Sequence, residues 1–146
     1  MKFVTLVLFI CLSLGVPGAV GQERPTSANL VELLANPDRF DGHSITVKGF
    51  LLVMGGHHDI AAYFLYLHRE DAENELGNSV SVIPNEQMMK AAEKIDRVYV
   101  TLTGTVCRVR TADGDYTTVI KDIRECALWS NPSHPILLKT EGKKSH

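Results

Sequence analysis

Residues 44–54 have the sequence SITVKGFLLVM, in which every second position carries an apolar side chain or glycine. The members of this apolar set are Ile45, Val47, Gly49, Leu51 and Val53. A period of two residues is typical of a strand with one buried face. Gly49 interrupts that face at its centre, where a missing side chain allows a strand to bend sharply. The stretch therefore predicts a strongly curved strand.

Four more strands are predicted downstream by the same alternation. They cover residues 62–68, 79–83, 97–107 and 116–124. A helix over residues 86–95 separates the third strand from the fourth, because its apolar residues recur at helical spacing. An N-terminal helix, capped by Ser27 or Asn29, precedes the first strand and ends at Asn36, before Pro37.

The order of three strands, one helix and two strands is that of an OB-fold, a five-stranded Greek-key barrel. Gly104 is a second glycine at a position where a strand of such a barrel would bend. The predicted fold class is therefore mainly β, an OB-fold-like β-barrel of five strands with an N-terminal helix and a helix between strands 3 and 4. An open α+β sheet built from the same elements is the alternative.

The N-terminal residues have the parts of a secretory signal peptide. Lys2 precedes an apolar run over residues 3–14, and the small residues Ala19 and Gly21 mark a cleavage site before Gln22. The predicted organisation is a signal peptide over 1–21, a barrel domain over 22–130 and a C-terminal tail over 131–146. We expect a secreted or periplasmic protein with no stable membrane insertion after cleavage. An uncleaved membrane anchor is the alternative.

Charge and cysteine content restrict the partners and the covalent structure. The 146-residue chain has 15 basic and 17 acidic residues, a formal charge of -2. This balance argues against nucleic acid as a partner, because affinity for phosphates needs an excess of Lys and Arg. Signal cleavage would remove Cys11 and leave Cys107 and Cys126, which form a candidate disulfide in an oxidising compartment. Two free buried thiols are the alternative.

The stretch Leu65-Tyr66-Leu67-His68-Arg69-Glu70-Asp71 is the most distinctive motif of the chain. With the turn at residues 40–42 and the strands at residues 45–51 and 100–105, it resembles an uncharacterised family of small bacterial secreted proteins. Ala72 stands where members of that family usually carry an aromatic residue. The resemblance implies an export signal and a small OB-fold-like β domain, and it implies no activity.

Aromatic side chains form the first candidate site, a ligand-binding face on the outside of the barrel. If Leu65 and Leu67 point inward, alternate residues of the second predicted strand share the outer face with Phe50. Aromatic residues on this face of OB-folds stack on flat ligand surfaces. The candidate ligand-binding residues are Phe50, Phe64, Tyr66, His68 and Arg69. The alternative is that these aromatic residues pack beneath the N-terminal helix. For residues 68–71, the alternative is a capped turn that starts a helical segment.

Histidines near carboxylates form a second candidate site. A hairpin between the first two strands would bring His43 opposite His68, next to Asp71, and zinc accepts imidazole and carboxylate ligands. The candidate metal ligands are therefore His43, His68 and Asp71. His57 and His58 lie in the connecting loop, at the other end of the hairpin. Solvated histidines without a metal are the alternative.

No catalytic residue and no cofactor is predicted. The sequence lacks the Gly-x-Ser-x-Gly, His-Glu-x-x-His and phosphate-loop patterns. Trp129 is expected to pack against the end of the barrel. The favoured function is an exported binding or accessory protein without catalysis, whose partner is a small ligand or an envelope protein. A small metal-dependent hydrolase and a structural subunit of an envelope complex are the alternatives.

Overall fold

The structure, a computed structural model, describes residues 24–55 and 61–129. The strands in these ranges are β1 (Thr26–Ser27), β2 (Ser44–Met54), β3 (Ala62–Tyr66), β4 (Ser79–Val82), β5 (Val98–Arg110) and β6 (Tyr116–Leu128). The helices are α1 (Leu30–Ala35), α2 (Arg69–Glu73), α3 (Glu86–Lys90) and α4 (Ala92–Ile95), with a 3-10 helix at Pro37–Phe40. The predicted signal peptide and C-terminal tail lie outside the described residues. No helix of the described ranges has the length and hydropathy to cross a bilayer.

Strands β2 to β6 form a closed barrel. Their order is β2-β3-β4-β6-β5, and β5 pairs again with β2 to close the sheet. The pairing of β4 with β6 is parallel, and the other four pairings around the barrel are antiparallel. The expected OB-fold-like barrel is confirmed, and the pairing of β2 with β5 excludes the open sheet. The short strand β1 adds a parallel pairing to β2 that the sequence pattern did not indicate.

The ends of the predicted elements differ from the observed ones by at most three residues, for example 107 against Arg110 for β5, except at two places. The fifth predicted strand was expected to end at residue 124, but β6 continues to Leu128. A bulge makes this extension possible: Gly104 of β5 lies opposite three residues of β6, 122–124, and Asp122 takes a φ of 51°. The predicted helix over 86–95 is divided at Ala91 into α3 and α4.

The main hydrophobic core fills the inside of the barrel. The odd-numbered residues of β2 point inward. They are packed against inward-facing residues of all four remaining barrel strands, β3 to β6. Helix α1 adds Leu30 and Leu33 to this core, and the side chain of Asn29 accepts a hydrogen bond of 2.7 Å from the Glu32 amide at the start of that helix. The N-terminal helix therefore packs on the barrel core and not on the outer aromatic residues.

The ends of β2 are fastened to neighbouring segments by hydrogen bonds. At one end, the Gly42 amide donates to the carbonyl of Val106 at 2.9 Å. At the other end, β2 has passed its last pairing with β5, and the Asp96 carboxylate accepts a 2.8 Å hydrogen bond from the Val53 amide. This carboxylate satisfies a backbone donor that would otherwise lose its partner.

Gly49 lies where β2 leaves no space for a side chain next to β3. A Cβ atom at this position would lie 2.7 Å from the carbonyl oxygen of Tyr66 and 2.8 Å from Cγ of Leu65. Real Cβ atoms do not approach backbone oxygens so closely, so any side chain here would force the two strands apart. Gly49 therefore permits the curvature that lets β2 pair with both β3 and β5.

Replacement of Gly49 by alanine is expected to lower the free energy of unfolding by about 2 kcal/mol, the middle of the range for overpacking a tight core. Gly77→Ala is the matched control, because a Cβ at Gly77 meets no atom within 4 Å. Urea denaturation of the two variants measures the difference. Equal stabilities for Gly49→Ala and Gly77→Ala would contradict the steric role of Gly49.

Candidate functional site

A row of aromatic side chains crosses the outer face of the barrel. In the strand register, Phe50 of β2 lies between Tyr66 of β3 and Tyr99 of β5. The rings of Phe50 and Tyr99 meet edge to face with their centroids 5.3 Å apart. Trp129, directly after β6, extends the row, because its amide donates to the carbonyl of Tyr99 at 2.8 Å and its ring lies 5.7 Å from the Tyr99 ring.

Helix α2 covers one part of this row. Its Ala72 is buried against Phe50 and Tyr66 in a small second core. The guanidinium of Arg69 lies 5.5 Å from the centroid of the Phe50 ring, and the Arg69 amide donates to the Tyr99 hydroxyl at 3.2 Å. The His68 amide donates to the Asp71 carboxylate at 3.2 Å. Residues 68–71 therefore start a helical turn that closes the second core.

The expected exposure of Phe50 and Tyr66 to a ligand is corrected by their burial. Phe50 is 1% exposed and Tyr66 is 6% exposed, so neither ring presents a face to solvent. Phe64 is half-buried beside Tyr66, while His68 and Arg69 are exposed. The aromatics form a packed second core, as the alternative expected, but α2 covers them and the N-terminal helix does not.

The proposed metal ligands do not converge. The pairing of Phe50 with Tyr66 fixes a register that would place His68 across from Lys48, five residues along β2 from His43. That separation corresponds to about 16 Å at the rise of a strand. The His43 ring instead contacts the carbonyl of Asp41, its Nδ1 lying 3.0 Å from that oxygen.

The grouping of His43, His68 and Asp71 at one metal site is therefore wrong. Within residues 24–55 and 61–129, no three His, Cys, Asp or Glu side chains are grouped to hold a metal ion. His57 and His58 lie outside the described residues.

The predicted disulfide is also wrong. Cys107 and Cys126 are free, and both lie on the β5–β6 pair. Cys126 pairs with Leu102 and Cys107 with Val119, so the two cysteines are five residues apart along the ladder. That distance is about 16 Å, whereas the Cα atoms of a disulfide lie within about 7 Å of each other. Burial, with a smaller contribution from Glu125, raises the pKa of Cys126 to about 12.

The exposed part of the aromatic row forms a surface that the sequence interpretation missed. Trp129 is 48% exposed, although it was expected to pack against the end of the barrel. The ammonium of Lys48, also exposed, lies 5.2 Å from the centroid of the Trp129 ring. We call Lys48, Tyr99 and Trp129 the Trp129 surface. It combines an accessible indole ring, a half-buried phenol that supports it and a cation.

The Trp129 surface could be predicted from the sequence only if the end of β6 was predicted correctly. Tyr99 occupies an outward position, since its neighbours Val98 and Val100 point to the core, and this much was visible in the alternation. With a strand ending at residue 124, however, nothing placed Trp129 beside Tyr99. The bulge opposite Gly104 carries the strand four residues further and creates the contact.

Comparisons with known proteins leave the function open. No family model and no curated protein sequence matches the chain. Among solved structures, the chain is similar to one described as an aspartyl-tRNA synthetase from Leishmania major Friedlin, with 12% sequence identity and a TM-score of 0.43. The match covers 85% of this chain but only 23% of that one, so the chain spans about a quarter of the synthetase. A match at this level carries no functional assignment.

The thiols of Cys107 and Cys126 are expected to react differently with an alkylating reagent when no reductant is added. Cys107 is half-buried and should be alkylated by iodoacetamide in the folded protein at pH 8. Cys126 is buried with a raised pKa, and since the thiolate is the reactive form, it should be alkylated only after unfolding. Peptide mass mapping of native and denatured samples measures both. Failure of both residues to react in denaturant until a reductant is added would show that they are bridged.

Proposed function

We propose that the protein is an exported, non-catalytic binding protein that holds its ligand on the Trp129 surface. One observation carries the proposal: Trp129 leaves about half of a large aromatic side chain in solvent while the rings behind it are packed. An exposed indole ring leaves a large apolar area in contact with water, which is unfavourable. Tryptophan is also enriched at recognition sites, where this area is buried on binding.

The surface is held in place before any ligand arrives. Trp129 contacts Tyr99, Tyr99 contacts Phe50, and Phe50 is fully buried between two strands and α2. The Tyr99 hydroxyl is fixed in addition by the Arg69 amide. A ligand would therefore meet a supported ring rather than a free side chain, and less conformational entropy would be lost on binding.

Export is supported by the sequence alone. Lys2, the apolar run at residues 3–14 and the small residues before Gln22 are the basis for a secreted or periplasmic location. The alternative of a metal-dependent hydrolase loses its geometric basis, because His43 and His68 lie far apart. For the alternative of an envelope-complex subunit, the Trp129 surface would be the contact with the neighbouring protein, and the experiment below detects that case also.

Binding can be followed through the emission of Trp129, the single tryptophan of the chain. We expect a ligand from a panel of saccharides, nucleotides, short peptides and envelope extract fractions to shift this emission. Calorimetry with Trp129→Ala should then show affinity reduced by a factor of about 5 to 150, since stacking on one aromatic side chain is worth about 1–3 kcal/mol.

Met89→Ala is the control, because Met89 is an apolar side chain on α3 that is 54% exposed, similar to Trp129. It should bind as the wild type does. Equal affinity of Trp129→Ala and the wild type would place the site elsewhere and overturn the proposal. For export, N-terminal sequencing of protein recovered outside the cytoplasm should begin at Gln22, and an intact Met1 would contradict it.

A further inference from the structure

Two cations at the aromatic row have no carboxylate partner within residues 24–55 and 61–129. Lys48 lies over Trp129 and Arg69 lies over Phe50. Among the described residues, the ion pairs within 4 Å involve other cations: Lys90 with Glu86, Arg97 with Asp96 and Arg108 with Asp38. The positive charges of Lys48 and Arg69 are therefore directed at aromatic rings and solvent, and they favour an anionic partner.

The two cations lie at different points of the aromatic row. Lys48 precedes Phe50 by two residues on the outer face of β2, and its ammonium lies over the Trp129 ring. Arg69 begins α2 after the end of β3, and its guanidinium lies over the Phe50 ring. A carboxylate beside Trp129 would therefore meet Lys48, while Arg69 adds a second positive charge to the row.

A hydroxyl group completes the surface. Thr101 of β5 pairs directly with Lys48 and lies two residues from Tyr99, between inward-facing Val100 and Leu102. Its side chain is half-buried on the outer face. The Trp129 surface therefore offers a flat apolar ring, an ammonium group and a hydroxyl at neighbouring positions.

We propose that the Trp129 surface binds a saccharide that carries a carboxylate. The apolar face of the sugar ring lies on the indole of Trp129, its hydroxyls meet Thr101, and the carboxylate pairs with Lys48, with the positive charge of Arg69 farther along the row. This inference rests on the proposed binding function and names the class of its ligand.

A nucleic acid fits this surface less well, although its bases also stack on aromatic rings. It carries a negatively charged phosphate at every nucleotide. The chain as a whole has a formal charge of -2. Two cations suit the isolated carboxylate of a sugar acid better than the continuous charge of a polynucleotide.

The experiment is a titration of Trp129 emission with tetragalacturonate. The fully methyl-esterified tetramer is the matched ligand, since it keeps the sugar rings and removes the charge, and single-stranded dT8 is the nucleic-acid probe. We expect tetragalacturonate to bind about fivefold more tightly than the ester at low salt, and this preference to shrink in 0.5 M NaCl.

The variants test the cation directly. Lys48→Gln should remove most of the preference for the acid, and Lys48→Glu should weaken acid binding further through repulsion. Lys121→Gln is the control, because Lys121 is a lysine of β6 that pairs with Thr105, six residues along β5 from Tyr99. It should keep the fivefold preference.

Three results would overturn the inference. Equal binding of acid and ester, with no effect of Lys48→Gln, would show that the charge plays no part, while the emission change would still support the proposed binding function. Tighter binding of dT8 than of tetragalacturonate would assign the surface to nucleic acid. No emission change with either saccharide would exclude this ligand class, and the wider panel and Trp129→Ala would then decide the binding function separately.

Discussion

The structure depends on a single strand, β2, being hydrogen-bonded along both of its edges. It pairs with β5 from Ser44 to Leu51 and with β3 from Phe50 to Met54, so the two pairings overlap at residues 50 and 51. Gly49 directly precedes this overlap, at a position where a side chain would collide with β3. The absence of a Cβ there brings the Tyr66 carbonyl within reach, and the closed barrel follows from that close approach.

The same strand determines what the outside of the barrel can present. Since side chains alternate along β2, an inward Gly49 and Leu51 require Phe50 to point outward, between Tyr66 and Tyr99. Phe50 is too large and apolar to remain in solvent, and α2 with Arg69 closes over it. What stays uncovered among the described residues is the far end of the row at Trp129. The candidate binding surface is thus the open end of a second core whose other end is sealed.

The sequence predicted those features that depend on local alternation. The bounds of β2 were predicted to the residue, because its apolar alternation is uninterrupted and a turn signal precedes it. The order of strands and helices was enough to predict the barrel. Features that depend on strand register were not accessible. The spacing of Cys107 and Cys126 along the chain resembles that of a disulfide loop, and only the ladder shows that the thiols lie far apart. His43 and His68 were placed opposite each other by assuming a hairpin that is five residues out of register.

The helical turn and the bulge had weaker local signals. Residues 69–73 are almost entirely charged, so the sequence did not show that the one small residue, Ala72, packs on Phe50 and Tyr66. The end of β6 was predicted too early, because the bulge at residues 122–124 interrupts the alternation of apolar and polar residues. In the sequence, such an interruption looks like the end of a strand. That error hid the position of Trp129 directly after the last strand, and with it the contact between Trp129 and the aromatic row.

The central claim is that ligand binding occurs at the open end of the aromatic row, and a two-dimensional 1H–15N NMR titration with tetragalacturonate tests it most directly. The account predicts that the largest shifts fall on the amides of Lys48, Tyr99, Thr101 and Trp129 and on the single indole N–H. Shifts concentrated instead on the outer residues of β3 and β4, around Phe64 and Ser81, would contradict it and return the site to the face first expected from the sequence.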